Sequence, residues 1–123
     1  MGKRLLIVEQ DSDIRLVLRI WLEARGYEIQ ELAGGWEVRE TLQRSKFHGV
    51  ILNCHLPDIS AFTLVKLIRE DGLSLPILLM SSAYPPYYEP MAETFGAQAF
   101  LPKPFSWDKV QGWLSKWVVD AAE

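Results

Sequence analysis

Short apolar runs alternate along this chain with segments whose apolar residues recur at helical spacing. Uninterrupted or nearly uninterrupted runs stand at residues 5–8, 49–53, 75–81 and 99–101, with a more mixed one at 27–32. Continuous apolar runs of this length are typical of strands buried on both faces of a parallel sheet. With helices between them they predict β-α-β units, and therefore a doubly wound α/β domain of five strands and five helices.

The helical segments are bounded by capping and breaking residues. The first starts at the acidic and hydroxyl residues 11–13 and stops at Gly26. Its inward stripe is predicted to consist of Ile14, Val17, Leu18, Trp21 and Leu22. The remaining helices are predicted at residues 36–44, 61–70, 87–95 and 107–119. The domain is predicted to extend over residues 3–119, and residues 120–123 are expected to form a frayed tail.

Composition disfavours several classes of function. The 123 residues suffice for one domain, and a net charge of −3 with no basic cluster longer than Lys3 and Arg4 argues against nucleic-acid binding. The single cysteine, Cys54, cannot form an internal disulfide and fits a reducing compartment. Cys54 and His55 are adjacent and point to opposite faces of a strand, so no catalytic pair is expected. With no signal-peptide core or membrane span predicted, we expect a soluble cytoplasmic protein.

Polar residues follow the predicted strands at one edge of the sheet. Glu9 and Gln10 follow the first strand, Asn53 ends the third, Ser82 follows the fourth and Lys103 the fifth. Ligands of open parallel sheets bind at the carboxyl ends of the strands. No glycine-rich phosphate loop follows the first strand, which disfavours a dinucleotide or nucleoside triphosphate. The functional site is therefore predicted at this edge, from acids, amides, a hydroxyl and a lysine.

Four motifs in this order resemble the receiver domain of response regulators, which act in two-component signalling. They are LLIVEQDSDIR at residues 5–15, NCHLPD at 53–58, SA at 82–83 and KPF at 103–105. The resemblance covers essentially the whole chain. It implies the flavodoxin-like receiver fold, with strand order 2-1-3-4-5.

The resemblance also implies roles for these residues. In that family, two acids after the first strand and an aspartate ending the third hold Mg²⁺, and this aspartate becomes an acyl phosphate. The phosphoacceptor lies four residues before a loop proline, and counting back from Pro57 gives Asn53. A neutral amide is no substitute for an anionic nucleophile, so Asn53 is predicted not to accept a phosphoryl group. Ser82 and Lys103 match the positions that contact the phosphoryl oxygens.

Two further departures weaken the implied metal site. Glu9 keeps its charge on a longer stem, and Gln10 has no charge where the family has a direct metal ligand. Mg²⁺ requires hard anionic oxygens, so we expect weak or absent Mg²⁺ binding and no other cofactor. With no acyl phosphate to contact, Lys103 is predicted to form an ion pair with Glu9, supported by the amide of Gln10 or Asn53.

Three functional hypotheses follow. In the first, the chain is a pseudo-receiver that works without phosphorylation as a protein-interaction module and is not an enzyme. In the second, it still takes part in phosphorelay, because another residue accepts the phosphoryl group or because the natural chain has an aspartate in place of Asn53. In the third, the altered pocket around Lys103 senses a small molecule or an anion.

Aromatic residues near the carboxyl terminus predict a partner surface. In receivers the face made by helix 4, strand 5 and helix 5 is the usual partner and dimer surface. Phe100 resembles the family's switch aromatic, Trp113 is predicted to be an exposed contact anchor, and Trp117 is a second candidate. A protein partner or a second copy is expected to bind there, with a histidine kinase or an effector domain as candidates and no nucleic acid or membrane.

Overall fold

The chain folds into a five-stranded parallel sheet with helices on both faces. The computed structural model describes residues 2–82, 85–103 and 106–118. Its strands are β1 (Arg4–Val8), β2 (Glu28–Leu32), β3 (Gly49–Asn53), β4 (Ile77–Ser81) and β5 (Ala99–Pro102). Neighbouring strands are parallel, and their order across the sheet is β2-β1-β3-β4-β5. The predicted fold class and strand order are therefore confirmed.

Capping residues set the limits of several helices. The helices are α1 (Ser12–Glu23), α2 (Val38–Arg44), α3 (Ala61–Glu70), α4 (Tyr88–Phe95) and α5 (Trp107–Trp117). The side chains of Asp11, Ser60 and Ser106 accept hydrogen bonds from the first backbone amides of α1, α3 and α5. Gly96 ends α4 in the left-handed conformation at φ 109°. None of the helices in the described part of the chain is long and apolar enough to cross a membrane.

Successive strand residues face two separate apolar layers. On one face, strand residues pack against α2, α3 and α4, and they include Leu6, Val8, Val50, Leu52, Ile77 and Leu79. On the other face, strand residues pack against α1 and α5, and they include Leu5, Ile7, Ile51, Leu78 and Met80. Because both faces of the sheet are covered, the strands are continuously apolar rather than alternating.

The start of α2 and the end of α5 depart from the boundaries predicted by sequence. Helix α2 begins at Val38 rather than at residue 36, because the amides before it bond to the Asp58 side chain instead of continuing a helix. Trp36 therefore sits in a turn and is 67% exposed. Helix α5 ends at Trp117, and the predicted tail at 120–123, like residue 119, lies outside the described residues.

The inward stripe predicted for α1 is right for Leu18 and Leu22 and wrong for Val17. Leu18 and Leu22 are fully buried, whereas Val17 is 51% exposed. Leu16 and Ile20 are exposed as well, so α1 presents apolar side chains to solvent as well as to the sheet. The helix therefore contacts the sheet through a narrower stripe than the sequence periodicity suggests.

Aromatic stacking joins α1 to α5. Trp21 and Trp107 lie with ring centroids 4.6 Å apart and an interplanar angle of 16°. The guanidinium carbon of Arg25 lies 3.6 Å from the centroid of the Trp21 ring. Trp21 is thus partly buried beside the core, and its stacking on Trp107 holds the two helices together at one end, while Arg25, in the turn after α1, adds a cation–π contact to the same indole.

Candidate functional site

Three side chains from different strands meet at the carboxyl edge of the sheet. Glu9 directly follows β1, Asn53 is the last residue of β3, and Lys103 directly follows β5. Nζ of Lys103 lies 2.6 Å from Oε1 of Glu9, and Nδ2 of Asn53 lies 3.1 Å from Oε2 of the same carboxylate. The predicted ion pair is therefore present, and the amide that supports it is that of Asn53.

The carboxylate of Glu9 is enclosed and accepts three hydrogen bonds. The Glu9 and Lys103 side chains are 2% and 13% exposed. Oε2 of Glu9 also accepts a hydrogen bond from the backbone N–H of Asp11 at 3.0 Å. A buried carboxylate is costly unless it is paired and hydrogen-bonded, so the ammonium and the two N–H donors are what make this position tolerable.

Asn53 donates both amide hydrogens and leaves its carbonyl oxygen unpaired. Its second hydrogen goes to the backbone carbonyl of His55, with Nδ2 3.1 Å from the oxygen. Among the residues that the structure describes, Oδ1 of Asn53 has no hydrogen-bond partner, although the residue is only 6% exposed. Buried side-chain acceptors are normally satisfied, so this oxygen is the unusual atom of the site.

His55 and Ser81 form a second polar contact at the same edge. Nε2 of His55 lies 2.8 Å from Oγ of Ser81. Ser81 is buried at the end of β4, whereas Ser82 next to it is exposed. The phosphoryl-contact role of Ser82 stays a prediction. Residues 83, 104 and 105, which complete two of the motifs in the sequence, lie outside the described residues.

Cys54 is unsuited to nucleophilic chemistry. Its side chain is buried, and burial raises the pKa of the thiol to about 12 against a smaller opposing effect of the Lys103 charge. Because the thiolate is the reactive form, the buried thiol is inert near neutral pH. His55 is exposed and bonded to Ser81, so the adjacent cysteine and histidine do not form a nucleophile and base.

A shallow depression opens beside this cluster. It has a volume of about 480 Å³ and is lined by Glu9, Gln10, Asp11, Ser12 and Asn53. Asp11 uses one carboxylate oxygen to cap α1, accepting from the backbone N–H of Asp13 at 2.8 Å. Arg15 donates to the backbone carbonyls of Glu9 at 2.6 Å and Gln10 at 3.0 Å. The loop after β1 is therefore fixed by its own helix, with the Gln10 side chain exposed.

Asp58 joins two loops at the same end of the sheet. Its carboxylate accepts hydrogen bonds from the backbone amides of Gly35, at 2.9 Å to Oδ1, and Trp36, at 3.0 Å to Oδ2. These bonds lower the pKa of Asp58, with that from Gly35 contributing most. Asp58 therefore supports the turn before α2 and takes no part in the cluster around Glu9.

The donor set at this edge does not fit the Mg²⁺ ion that the sequence resemblance implies. Mg²⁺ requires several hard oxygen ligands in near-octahedral geometry. Lys103, the Asp11 amide and the Asn53 nitrogen already occupy the oxygens of Glu9, and Gln10 brings no charge. Within the described ranges, no three His, Cys, Asp or Glu residues are grouped so as to hold a metal ion. Weak or absent Mg²⁺ binding remains a prediction.

The exposed position predicted for Trp113 is wrong. Trp113 is 4% exposed and packs in the core layer between α5 and the sheet, whereas Trp117 is 40% exposed. Gly49 at the start of β3 helps to make room for the indole, because a Cβ there would lie 3.1 Å from Cη2 of Trp113. The sequence alone did not show this relationship, because Gly49 and Trp113 become neighbours only when α5 packs on the sheet.

The face formed by α4, β5 and α5 carries a groove. It has a volume of about 400 Å³ and is lined by Glu89, Ala92, Glu93, Ala97, Gln98, Ala99, Phe100 and Trp117. Phe100 is buried, with its ring edge-on to that of Tyr88 at a centroid distance of 6.1 Å. Of the three aromatics predicted at this face, Trp117 is therefore the one available for contact.

Two features escaped the sequence prediction. The hydrogen bond between His55 and Ser81 joins the loop after β3 to the end of β4, and no spacing within one segment signals it. The second feature is the exposed apolar group on α1, formed by Leu16, Val17 and Ile20. The sequence could have indicated it, because α1 has more apolar residues than one stripe facing the sheet requires.

The fold, the strand-end cluster and the sequence motifs together define the class of protein to which the chain belongs. The sequence model of the response regulator receiver domain matches residues 5–114, and the chain belongs to this family. It is thus a receiver domain of two-component signalling.

Curated relatives carry this domain as part of a longer chain. The alkaline phosphatase synthesis transcriptional regulatory protein PhoP of Bacillus subtilis is 26% identical over 106 residues, which cover 86% of this chain and 44% of PhoP. A probable transcriptional regulatory protein of a Picosynechococcus species is 31% identical over 110 residues, covering 84% of this chain and 44% of that protein. The chain therefore spans less than half the length of these relatives.

Solved receiver structures superpose closely on the chain. The chemotaxis protein CheY4 of Vibrio cholerae has a TM-score of 0.86 at 25% identity, covering 94% of this chain and 98% of CheY4. A putative response regulator of Chloroflexus aurantiacus has a TM-score of 0.84 at 28% identity, covering 94% and 100%. The receiver domain of Ssk1 from Saccharomyces cerevisiae, crystallised with the histidine phosphotransfer protein Ypd1, has a TM-score of 0.85 at 18% identity, which shows the fold alone. That alignment covers 94% of this chain and 88% of the Ssk1 receiver.

Proposed function

We propose that this receiver works without phosphorylation, as a protein-interaction module of a signalling pathway. The observation that carries the proposal is the position of Asn53, whose nitrogen donates to Glu9 at 3.1 Å while Lys103 pairs with the same carboxylate at 2.6 Å. An amide is not the anionic nucleophile that an acyl phosphate requires, and the lysine is already engaged. The polar cluster then serves to hold the strand ends together, and no catalytic turnover is expected.

Intact-mass measurement after incubation with acetyl phosphate and Mg²⁺ tests this proposal. The expected result is an unchanged mass. The addition of one phosphoryl group would overturn the proposal and support the phosphorelay hypothesis. A double variant, Gln10→Asp with Asn53→Asp, is the matched control because it restores both missing carboxylates, and it should gain the phosphoryl mass under the same conditions.

We further propose that the partner binds the face formed by α4, β5 and α5. Trp117 is exposed at the edge of the groove, and tryptophan is enriched among residues that dominate binding energy at interfaces. Glu89 and Glu93 line the same groove and would complement basic side chains of a partner. These features support a histidine kinase, an effector domain or a second copy of the chain as the occupant.

Two exposed tryptophans allow a matched test of this surface. Trp117→Ala should weaken self-association or kinase binding by about tenfold or more. Trp36→Ala, which removes an exposed tryptophan that does not line the groove, should leave binding unchanged. Sedimentation velocity reports the second-copy case, and a monomer at all concentrations would exclude it. Equal effects of the two substitutions would contradict the assignment of the face.

A cytoplasmic location is part of the same proposal. Its support is Cys54, the single cysteine of the chain, which is buried as a free thiol. Free thiols persist in reducing compartments. Detection of the chain in the cytoplasmic fraction of its host cells, with Cys54 as an unmodified thiol, is the corresponding measurement, and recovery in another fraction would contradict it.

A further inference from the structure

We propose that the outer side of α1 pairs with the same surface of a second copy of this chain, with the two helices antiparallel. Leu16, Val17 and Ile20 are 53%, 51% and 60% exposed. Their spacing along the helix places them within about 100° of its circumference, so they form one apolar surface, the outer stripe. Single exposed apolar residues are normal, but a contiguous group of them marks an interaction surface.

The outer stripe takes no part in the core of the domain. Helix α1 contributes Leu18 and Leu22 to the core, and the stripe residues belong to neither apolar layer in the described part of the chain. Val17 and Ile20 are β-branched and lose side-chain freedom in a helix, so at exposed positions they bring no gain to the isolated domain. Burial of the stripe against a second apolar helix supplies that gain.

The charges at the two ends of the outer stripe select a second copy as the occupant. Asp13, in the first turn of α1, and Arg25, just beyond its end, have no ion-pair partner among the residues described. Arg19, by contrast, pairs with Glu23 and Glu31. The stripe therefore has an unpaired acid at its amino end and an unpaired base at its carboxyl end.

Antiparallel packing brings these unlike ends together. When Val17 of one copy lies against Ile20 of the second, Asp13 of each copy comes beside Arg25 of the other, and the two-fold pair has two such contacts. The Arg25 guanidinium is held by Trp21, with its carbon 3.6 Å from the ring centroid and Nη1 3.1 Å from the backbone carbonyl oxygen. Its remaining N–H donors are available to a carboxylate. A partner of uniform charge would be attracted at one end of the stripe and repelled at the other.

The outer stripe is separate from the groove at α4, β5 and α5. Among the residues that the structure describes, none from α1 lines that groove. The inference assigns the second copy to α1 and leaves the groove to a histidine kinase or an effector domain. Loss of self-association would leave the interaction module intact, and phosphorylation of the chain would not remove the stripe. The two proposals therefore fail in separate experiments.

Sedimentation equilibrium over chain concentrations up to the millimolar range tests the inference. A contact between single helices is smaller than a standard interface, so half-association is expected at about 0.1 mM. Ile20→Glu places a charge in the stripe of both copies and should weaken association about tenfold or more. Gln43→Glu adds the same charge at an exposed position of α2, on the other face of the sheet, and should change nothing. A monomer at every concentration, or equal effects of the two substitutions, would overturn the inference.

Charge exchange tests the antiparallel arrangement. Asp13→Lys alone, or Arg25→Glu alone, puts like charges at both ends of the pair and should weaken association about threefold to tenfold. An equimolar mixture of the two variants should regain the native association, because each end then joins a base to an acid. Thermal melting verifies that both variants are folded. A mixture that associates no better than the single variants would overturn the antiparallel pairing.

A second comparison identifies the surface that the second copy covers. Trp117→Ala, in the groove, should weaken self-association no more than Gln43→Glu does. A loss with Trp117→Ala as large as that with Ile20→Glu would place the second copy in the groove and overturn the inference. In NMR spectra of the ¹⁵N-labelled chain, the amides of residues 13–24 are expected to shift with chain concentration. Shifts confined to residues 88–95 of α4 would contradict the assignment to α1.

Discussion

The ammonium of Lys103 lies 2.6 Å from Oε1 of Glu9, although β3 and β4 stand between the strands that deliver the two residues. The contact joins positions 94 residues apart in the chain. It ties the carboxyl ends of β1 and β5 together across the edge of the sheet. The Lys103 ammonium thus pairs with Glu9 at the position where the family resemblance implies contact with a phosphoryl group.

Removal of the lysine should destabilise the fold strongly. Lys103→Met leaves Glu9 buried without its counter-charge, and loss of one partner of a buried pair costs about 3 kcal/mol or more. Urea unfolding at neutral pH measures the loss. Lys66→Met, at an exposed position on α3, is the control and should stay within about 0.5 kcal/mol of the native chain.

Removal of both charges should restore much of that loss. The double variant Glu9→Gln with Lys103→Met has no buried charge left, and apolar or neutral replacement of an ion pair is often close to neutral. We expect it to be more stable than Lys103→Met alone. A double variant as unstable as the sum of the two single substitutions would show that the two residues are not coupled.

Asn53→Asp should exchange stability for metal sensitivity. The substitution removes the hydrogen bond to Glu9 and places a second carboxylate about 3 Å from the first, so the free energy of unfolding should fall by about 1–3 kcal/mol without metal. Mg²⁺ should then raise the melting temperature of the variant while leaving that of the native chain nearly unchanged. An equal Mg²⁺ effect on both proteins would show that the native donor set does bind the ion.

The two neighbouring tryptophans of α5 should behave differently. Trp113 is core and Trp117 is half-exposed, so Trp113→Ala should cost about 3–5 kcal/mol of unfolding free energy and Trp117→Ala much less. Chemical denaturation of the two variants measures this difference. Similar losses would mean that the indole of Trp117 is also packed against the domain in solution.

The turn before α2 should contribute acid-sensitive stability through Asp58. Its hydrogen bonds hold the pKa below the ordinary 3.8, so the stabilisation is fully present above that pH. It is lost as the pH falls through the lowered pKa of the folded state. Unfolding free energies of the native chain and Asp58→Ala, measured from neutral pH downward, should converge in acid. A constant difference at every pH would contradict the role given to this carboxylate.

Much of the fold was predictable because it depends on local pattern. The run at 49–53 became β3, and the spacing of Phe62, Val65 and Ile68 placed α3 correctly over Ala61–Glu70. The strand order came from the family resemblance and not from the pattern itself. Side-chain orientation on helices was less predictable, because apolar residues on several sides of a helix permit more than one stripe. Val17 and Trp113 were misplaced for this reason.

The candidate site was also predictable only in part. Which residues stand at the strand ends follows from the order of strands along the chain. The approach of Lys103 to Glu9 was expected from the family resemblance, which places both residues at the same site. The sequence left open whether Gln10 or Asn53 would supply the supporting amide. The structure selects Asn53, because that residue ends a central strand and is buried, while Gln10 lies on an exposed loop.

The sequence by itself determined the alternating elements, the helix caps and the loss of an anionic oxygen at position 53, because these are properties of single segments and single side chains. Only the tertiary structure decided where the remaining hydrogen-bonding capacity goes. Asn53 donates to Glu9 and to the His55 carbonyl, and its Oδ1 has no partner within the described residues. Such pairing depends on the relative positions of strand ends that are far apart in the chain. What first reads as a missing carboxylate is, in the folded protein, an amide with one buried acceptor still to be satisfied.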